Sequence, residues 1–133
     1  MTRLLVIEDD EPIARLLERG LSLAGYDVAV EMDGPGGRAR WAGGGYAAVI
    51  LDVMLPGANG LDLCAERRRA GDRTPVLLLT ARDDDEIRRR APLAGASAFM
   101  VKPFVYRELL ERLEGLIARG AEAIPGAAHG LEE

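Results

Sequence analysis

Polar side chains that could handle a phosphoryl group come directly after short apolar runs at four places in the sequence. They are Glu8, Asp9, Asp52, Thr80 and Lys102. Carboxylate oxygens bind hard divalent cations, a lysine supplies a positive point charge, and a hydroxyl group donates a hydrogen bond. If the fold brings these groups together, they could bind a cation and a phosphoryl group in one site.

Asp52 is the candidate nucleophile of such a site. It ends the apolar run 47–51, which is typical of a strand buried on both faces. A purely structural explanation is available, since short acidic residues often begin turns and Pro56 follows closely. The chemical alternative is that crowded carboxylates share Mg²⁺ or Mn²⁺, because like charges at this range raise a pKa unless a cation joins them. Asp52 could then form an acyl phosphate while the cation and Lys102 neutralise the developing charge.

Five apolar runs predict the elements that position these groups. Each run is too short for a helix and too continuous for a half-exposed strand, so all five are interpreted as buried strands. They cover residues 4–7, 28–30, 47–51, 76–79 and 98–101. Strands that alternate with helical segments predict a parallel α/β sheet covered on both faces, with its ligand site at the carboxyl edge. Right-handed crossovers favour the first and third strands as neighbours.

Three of the intervening segments have clear helical patterns. Pro12 suits the first position of the first helix, which Gly25 ends. The buried stripe expected on this helix consists of Ile13, Leu16, Leu17 and Leu21. The third helix is expected over 61–69 with Arg67–Arg69 toward solvent, and the fifth carries an apolar stripe over 109–117.

Two segments have weaker helical patterns. Glycines and Pro35 in 33–46 leave only about two turns of helix, around 38–42. In 83–95, Pro92 removes a donor and clashes one turn back, so the fourth helix is expected to be short or kinked. Trp41, Leu63 and Cys64 are expected in or near the core.

Composition restricts the function classes. The chain has 133 residues, 48% apolar and 29% charged, as in an ordinary globular domain. Its net charge of -5 offers no basic field for nucleic acid. Cys64 is the only cysteine, which suits a reducing compartment. No apolar run approaches the ~20 residues of a membrane span, and acidic residues interrupt the first run. The chain is therefore expected to be cytoplasmic, with no membrane partner.

From residue 3 to about residue 119, the chain resembles the receiver domain (CheY-like) of two-component response regulators. The motifs that carry this resemblance occur in order as LLVIEDDEP, VILDVMLPGANGLDLC, PVLLLTAR and GASAFMVKPF. The resemblance implies a flavodoxin-like doubly wound sheet of five parallel strands, (βα)5, with strand order 2-1-3-4-5. It also implies that Asp52 receives phosphate from a sensor histidine kinase, so that the chain acts as a switch and not as an enzyme on a substrate.

The resemblance assigns roles to individual residues. The implied ligands of Mg²⁺ or Mn²⁺ are Asp9, Asp52 and the backbone carbonyl of Met54, with Glu8 assisting. Thr80 and Lys102 would contact the phosphoryl oxygens. Phe99, a core residue in either interpretation, would change rotamer when Thr80 moves. A cis peptide bond is expected before Pro103.

The segment KPFVYRELLERLEGLIAR most resembles the OmpR/PhoB class. Activated receivers of that class pair through the face of the fourth helix, fifth strand and fifth helix, and they carry a C-terminal winged-helix DNA-binding domain. The residues at positions of their inter-subunit charges are Arg88, Glu108 and Arg112. Part of that charge network is missing, because Ser97 and Ala98 replace the usual acidic residues. On the same face, Pro92 of the fourth helix stands where a leucine is usual.

Residues 1–119 are expected to form the receiver domain, and residues 120–133 a linker or tail in which His129 has no chemical role. The 14 residues after Arg119 are not expected to hold a DNA-binding output domain. We therefore expect the sequence to be either a fragment or a stand-alone regulator. A pseudo-receiver is a third alternative, but it would be expected to lose Asp52 or Lys102. A haloacid dehalogenase-type hydrolase needs a second Asp where Met54 stands, and a flavodoxin-like carrier needs a phosphate-binding loop where acidic residues follow the first strand.

Overall fold

A five-stranded parallel sheet with helices on both faces forms the protein, and the computed structural model describes residues 1–120. The strands are β1 (Arg3–Ile7), β2 (Asp27–Glu31), β3 (Ala48–Asp52), β4 (Val76–Thr80) and β5 (Ala98–Val101). The helices are α1 (Glu11–Leu23), α2 (Gly34–Ala42), α3 (Gly60–Arg69), α4 (Asp85–Leu93) and α5 (Tyr106–Arg119). The strand order is β2-β1-β3-β4-β5, which confirms the prediction.

The short strands Met54–Leu55 and Ala58–Asn59 form an antiparallel hairpin between β3 and α3.

Within residues 1–120, no helix combines the length and the apolarity that crossing a membrane requires. The tail predicted over 120–133 falls, after Gly120, outside the described residues, and so does His129.

Alternate side chains of the strands fill two apolar layers, one on each face of the sheet. Leu5 and Ile7 of β1 point into the layer that α2, α3 and α4 cover, whereas Leu4 and Val6 point into the layer under α1 and α5. Trp41 and Cys64 are fully buried in the first layer, as predicted. Burial raises the pKa of the Cys64 thiol to about 11, which keeps it in the unreactive neutral form.

The prediction of five buried strands is wrong for the two edges of the sheet. β3 and β4 are buried throughout, but the apolar side chains of β2 are only partly buried. In β5, Met100 alone is buried. Edge strands have a neighbour on one side only, and a continuous apolar run does not distinguish an edge from a central position.

α1 begins and ends as the sequence predicts, but its buried stripe is narrower. Asp10 caps the helix by accepting a hydrogen bond from the Ile13 N–H at 3.2 Å. The side chains buried on the sheet are Ala14, Leu17 and Leu21. Leu16, expected in the stripe, is 49% exposed, because it lies one residue, or about 100°, away from Leu17 around the helix.

α2 begins four residues earlier than predicted, at Gly34 and not at Arg38. The Asp33 carboxylate accepts a hydrogen bond from the Gly36 N–H at 2.7 Å and caps the helix. Pro35 lies in the first turn, where its missing N–H breaks no helical hydrogen bond. Tertiary packing of Gly34, Gly37 and Trp41 therefore outweighs the poor helix propensity of this segment.

Two of the three arginines expected to face solvent on α3 are partly buried instead. The Arg68 guanidinium donates to the Gly95 carbonyl at 2.9 Å, and Arg67 pairs with Asp72 at 3.4 Å. Both arginines thus tie the end of α3 to neighbouring loops, and only Arg69 is exposed. α4 is short, as predicted, with nine residues and Pro92 near its end.

The neighbouring leucines of α1 provide a matched test of this packing. We expect Leu17→Ala to lower the free energy of unfolding by about 2–5 kcal/mol, because it removes a fully buried side chain. Leu16→Ala, on the half-exposed side, should cost about 1 kcal/mol or less. Urea denaturation followed by circular dichroism measures both, and equal losses would contradict the placement of Leu16.

Candidate functional site

Strand register brings Glu8 and Asp52 together at the carboxyl edge of the sheet. Ile7 of β1 pairs with Leu51 of β3, so the residues that follow them, Glu8 and Asp52, are neighbours. On the other side of β3, the Lys102 N–H donates to the Thr80 carbonyl at 2.8 Å, which brings the ends of β4 and β5 to the same edge. The structure therefore gathers the strand-end groups that the sequence singled out.

Lys102 forms ion pairs with both buried carboxylates. Its Nζ lies 2.8 Å from Oε1 of Glu8 and 3.2 Å from Oδ2 of Asp52. Glu8 is fully buried, and Asp52 is nearly so. The sequence interpretation gave Glu8 an assisting role toward a cation, whereas in this structure it is also a direct partner of Lys102. Buried carboxylates are stable only with such partners.

The carboxylates lie close enough together to offer oxygens to one hard divalent cation. Glu8, Asp9 and Asp52 each offer an oxygen, and these oxygens all lie within 4.8 Å of one another. Asp9 is exposed, so the group opens to solvent. Three ionised carboxylates against one ammonium group leave two negative charges, which matches a divalent cation. An all-oxygen donor set suits Mg²⁺ or Mn²⁺, so the residues present fit the implied metal.

The electrostatics of Asp52 reflect this crowding. Burial, followed by the neighbouring Glu8, raises the pKa of Asp52 to about 7, although Lys102 opposes the shift. Burial alone would lower the pKa of Lys102, but Glu8 and Asp52 outweigh it and raise that pKa. When no cation is bound, Asp52 therefore holds a proton to a higher pH than an ordinary aspartate does, and a cation that neutralises Glu8 and Asp9 would favour its ionised form.

The loop after β3 places Met54 next to the same carboxylate. The Met54 N–H donates to Oδ1 of Asp52 at 3.2 Å, and the Met54 side chain is 61% exposed. The Gly60 N–H donates to the Val53 carbonyl at 2.7 Å and closes the loop. Asn59 caps α3 by accepting from the Leu61 N–H. The backbone of Met54 is thus held beside Asp52.

Thr80 is at the edge of the site, and its hydroxyl is engaged with the following loop. Oγ1 accepts a hydrogen bond from the Arg82 N–H and donates one to the Arg82 carbonyl, each at 3.0 Å. The Lys102–Pro103 peptide bond is cis. Contact between Thr80 and a group bound on Asp52 requires the hydroxyl to leave Arg82.

Phe99 packs against the core, as expected, but it is only partly buried. It lies on the edge strand β5, and the Arg88 guanidinium lies 5.6 Å from the centre of its ring. Arg88, Glu108 and Arg112 line one shallow groove together with Phe99. Arg112 donates to the Phe99 carbonyl at 3.3 Å, and Arg88 pairs with Asp83. The predicted dimer-face charges thus belong to one surface.

Two residues near the site were missed by the sequence interpretation. Asp10 caps α1, and its N–H donates to Oε2 of Glu8 at 3.0 Å, which fixes that carboxylate. An acidic residue three positions before Ile13 is a recognisable cap pattern. Gly34 contacts the loop after Asp52, and no local pattern indicates such a contact.

The chain is similar to known proteins over most of its length. The family model described as "Response regulator receiver domain" matches residues 4–114. The chain is 41% identical over 114 residues to the uncharacterized transcriptional regulatory protein YkoG of Bacillus subtilis, covering 86% of this chain and 50% of that protein. It is 44% identical over 118 residues to the transcriptional regulatory protein TcrA of Mycobacterium tuberculosis, covering 89% and 47%. The chain thus spans about half the length of these relatives.

A solved structure extends the likeness to the fold. The response regulator TrrA of Thermotoga maritima, in complex with Mg(2+)-BeF, is 32% identical and superposes with a TM-score of 0.77. The match covers 87% of this chain and 99% of that chain. The bound Mg(2+)-BeF is a feature of the TrrA structure alone.

The raised pKa of Asp52 predicts a pH-dependent stability without metal. An unfolded aspartate has a pKa of about 4, so between about pH 4 and pH 7 the folded protein holds the extra proton. The free energy of unfolding therefore falls as the pH rises through this window. Asp52→Asn removes this contribution, and we expect it to flatten the fall between about pH 4 and pH 7 in chelator.

Thermal unfolding at several pH values measures this effect. Asp62→Asn is the matched control, because Asp62 is an exposed carboxylate on α3. Its profile should follow that of the wild type. The same pH dependence in the wild type and Asp52→Asn would show that Asp52 ionises normally.

Proposed function

Because the chain belongs to the response regulator receiver domain family, we propose that Asp52 accepts a phosphoryl group from a sensor histidine kinase and that the chain passes the resulting change to an output. The observation that carries this proposal is the contact of Lys102 with Asp52 and Glu8 at a solvent-open group of carboxylates. The chain acts as a signalling partner, and not as an enzyme on a separate substrate.

The proposed transfer needs an ionised Asp52. An Oδ atom of Asp52 forms a bond to phosphorus as the bond from phosphorus to the donor imidazole nitrogen breaks, and the imidazole keeps that electron pair. Water later cleaves the acyl phosphate to inorganic phosphate and the free carboxylate. The residues that would hold Mg²⁺ or Mn²⁺ are Glu8, Asp9, Asp52 and the Met54 carbonyl. When bound there, the cation would neutralise the negative charge of the phosphoryl oxygens.

Lys102 and Thr80 would receive the phosphoryl oxygens. Lys102 already lies 3.2 Å from Oδ2 of Asp52, so its charge is in place before transfer. Thr80 exchanges its hydrogen bonds with Arg82 for one to a phosphoryl oxygen, and Phe99 then turns toward the space that Thr80 leaves. Because Phe99 lies in the groove with Arg112, this movement would change the surface of α4, β5 and α5.

The output proposed for the whole protein is control of transcription. We assign residues 1–119 to the receiver and the segment that begins at residue 120 to a linker, in the manner of the OmpR/PhoB class. Contact with DNA would be made by a winged-helix domain of the whole protein, and signalling would take place in the cytoplasm. A stand-alone regulator is the alternative for the chain alone.

Intact mass after incubation with Mg²⁺ and acetyl phosphate tests the acceptor. We expect the wild type to gain one phosphoryl group and Asp52→Asn to gain none, because the amide has no nucleophilic carboxylate. Chelation of the metal should abolish the gain. Asp62→Asn, which keeps the site intact, should be phosphorylated as the wild type is. A gain of mass in Asp52→Asn would place the acceptor elsewhere. If the wild type gained no phosphoryl group from acetyl phosphate or from a sensor histidine kinase, the result would favour a pseudo-receiver.

A charge reversal tests the proposed dimer face. If Arg88 and Glu108 pair between subunits, Arg88→Glu and Glu108→Arg should each weaken dimerisation of the phosphorylated chain several-fold, because each places like charges together. The double reversal should restore it. Analytical ultracentrifugation measures the dimer constant, with Arg119→Glu as a control on the last turn of α5. Equal dimerisation of all variants would exclude this face.

A further inference from the structure

The loop that follows Asp52 is seated against the first residue of α2. The Gly34 N–H donates to the Pro56 carbonyl at 2.8 Å. A Cβ at Gly34 would lie 2.3 Å from Cβ of Ala58 and 3.0 Å from its backbone nitrogen. Cβ atoms do not approach other atoms this closely, so any other residue at position 34 must push the two segments apart.

The loop side of the contact is equally restricted. Gly57 has a φ of 79°, which favours glycine, and a Cβ there would lie 3.0 Å from Cδ of Pro35. Asp33 caps α2 through Gly36 and thereby fixes the position of Gly34. Each side of the contact thus has a glycine, Gly34 against Ala58 and Gly57 against Pro35, at a place that leaves no room for a side chain.

The hairpin connects this contact to the carboxylate. Ala58, which packs on Gly34, pairs with Leu55, and the next residue pair joins Asn59 to Met54. The Met54 N–H in turn donates to Oδ1 of Asp52. A displacement of Ala58 would therefore be passed to the backbone of Met54 through two adjacent strand pairs.

We infer that Gly34 is a positioning residue for the cation site. Its close contact with Pro56 and Ala58 determines where the Met54 backbone lies relative to Asp52. This inference rests on the proposed function, in which the Met54 carbonyl is a metal ligand. A purely structural role for Gly34 would change stability and leave cation binding unchanged.

Gly34→Ala, titrated with Mn²⁺ alone, tests this role. The free Mn²⁺ signal in electron paramagnetic resonance reports binding without any phosphorylation. We expect the affinity to fall by about tenfold or more, as when a group that orients a metal ligand is lost. Gly20→Ala is the matched control: its Cβ would meet the Tyr106 ring at 2.7 Å, away from α2 and its loop. It should lower the melting temperature while Mn²⁺ affinity stays within about twofold of the wild type.

A compensating variant separates the clash from a general loss of fold. Ala58→Gly removes the Cβ nearest to the one added at Gly34, so Gly34→Ala combined with Ala58→Gly should recover most of the lost affinity. Recovery of the melting temperature without recovery of affinity would overturn the inference. So would wild-type affinity in Gly34→Ala with a lowered melting temperature. Absence of Mn²⁺ binding in the wild type itself would instead refute the proposed function.

Discussion

The ammonium group of Lys102 is the charge on which the carboxyl edge of the sheet depends. Parallel register places Glu8 and Asp52 side by side in a buried position, where two carboxylates without a partner would be strongly destabilising. Lys102 contacts both and offsets part of that cost. Because one ammonium group cannot neutralise Glu8, Asp9 and Asp52 together, the site retains negative charge that faces solvent through Asp9. The same imbalance that destabilises the metal-free protein would favour the binding of a cation.

The sequence predicted the sheet and the residues of the site because both follow from local rules. Continuous apolar runs mark parallel strands, and their carboxyl ends meet at one edge, so Glu8, Asp52, Thr80 and Lys102 could be placed together before any coordinates. The errors concern tertiary contacts. The burial of Arg68 depends on the Gly95 carbonyl, 27 residues away, and the start of α2 depends on packing that its own residues do not indicate. The partial exposure of Phe99 was not predicted because an apolar run does not reveal an edge strand.

The hydrogen bonds of Thr80 explain how a small group could switch a larger surface. Its hydroxyl makes two neutral hydrogen bonds to the Arg82 backbone, each contributing about 1 kcal/mol net. A hydrogen bond to a charged phosphoryl oxygen is roughly twice as strong as a neutral one, so the exchange is close to balanced. Phe99 is likewise only partly buried, between the core and the Arg88 guanidinium. If the proposed switch operates, a near balance of this kind would allow one bound group to shift the population.

The poor helical pattern of α2 follows from the contact that its first turn makes. Each glycine inside a helix costs about 1 kcal/mol relative to alanine, and α2 contains Gly34, Gly36 and Gly37. Gly34 allows close contact with the loop after Asp52, and Gly37 allows close contact with Ile7 of β1. A side chain at either position would push α2 away from these neighbours. Burial of Trp41 in the same helix offsets this cost, since a large aromatic side chain contributes several kcal/mol. The glycines of α2 thus have poor helix propensity at the places where the helix lies closest to the loop after Asp52 and to β1. The weak helical pattern in the sequence follows from these close contacts.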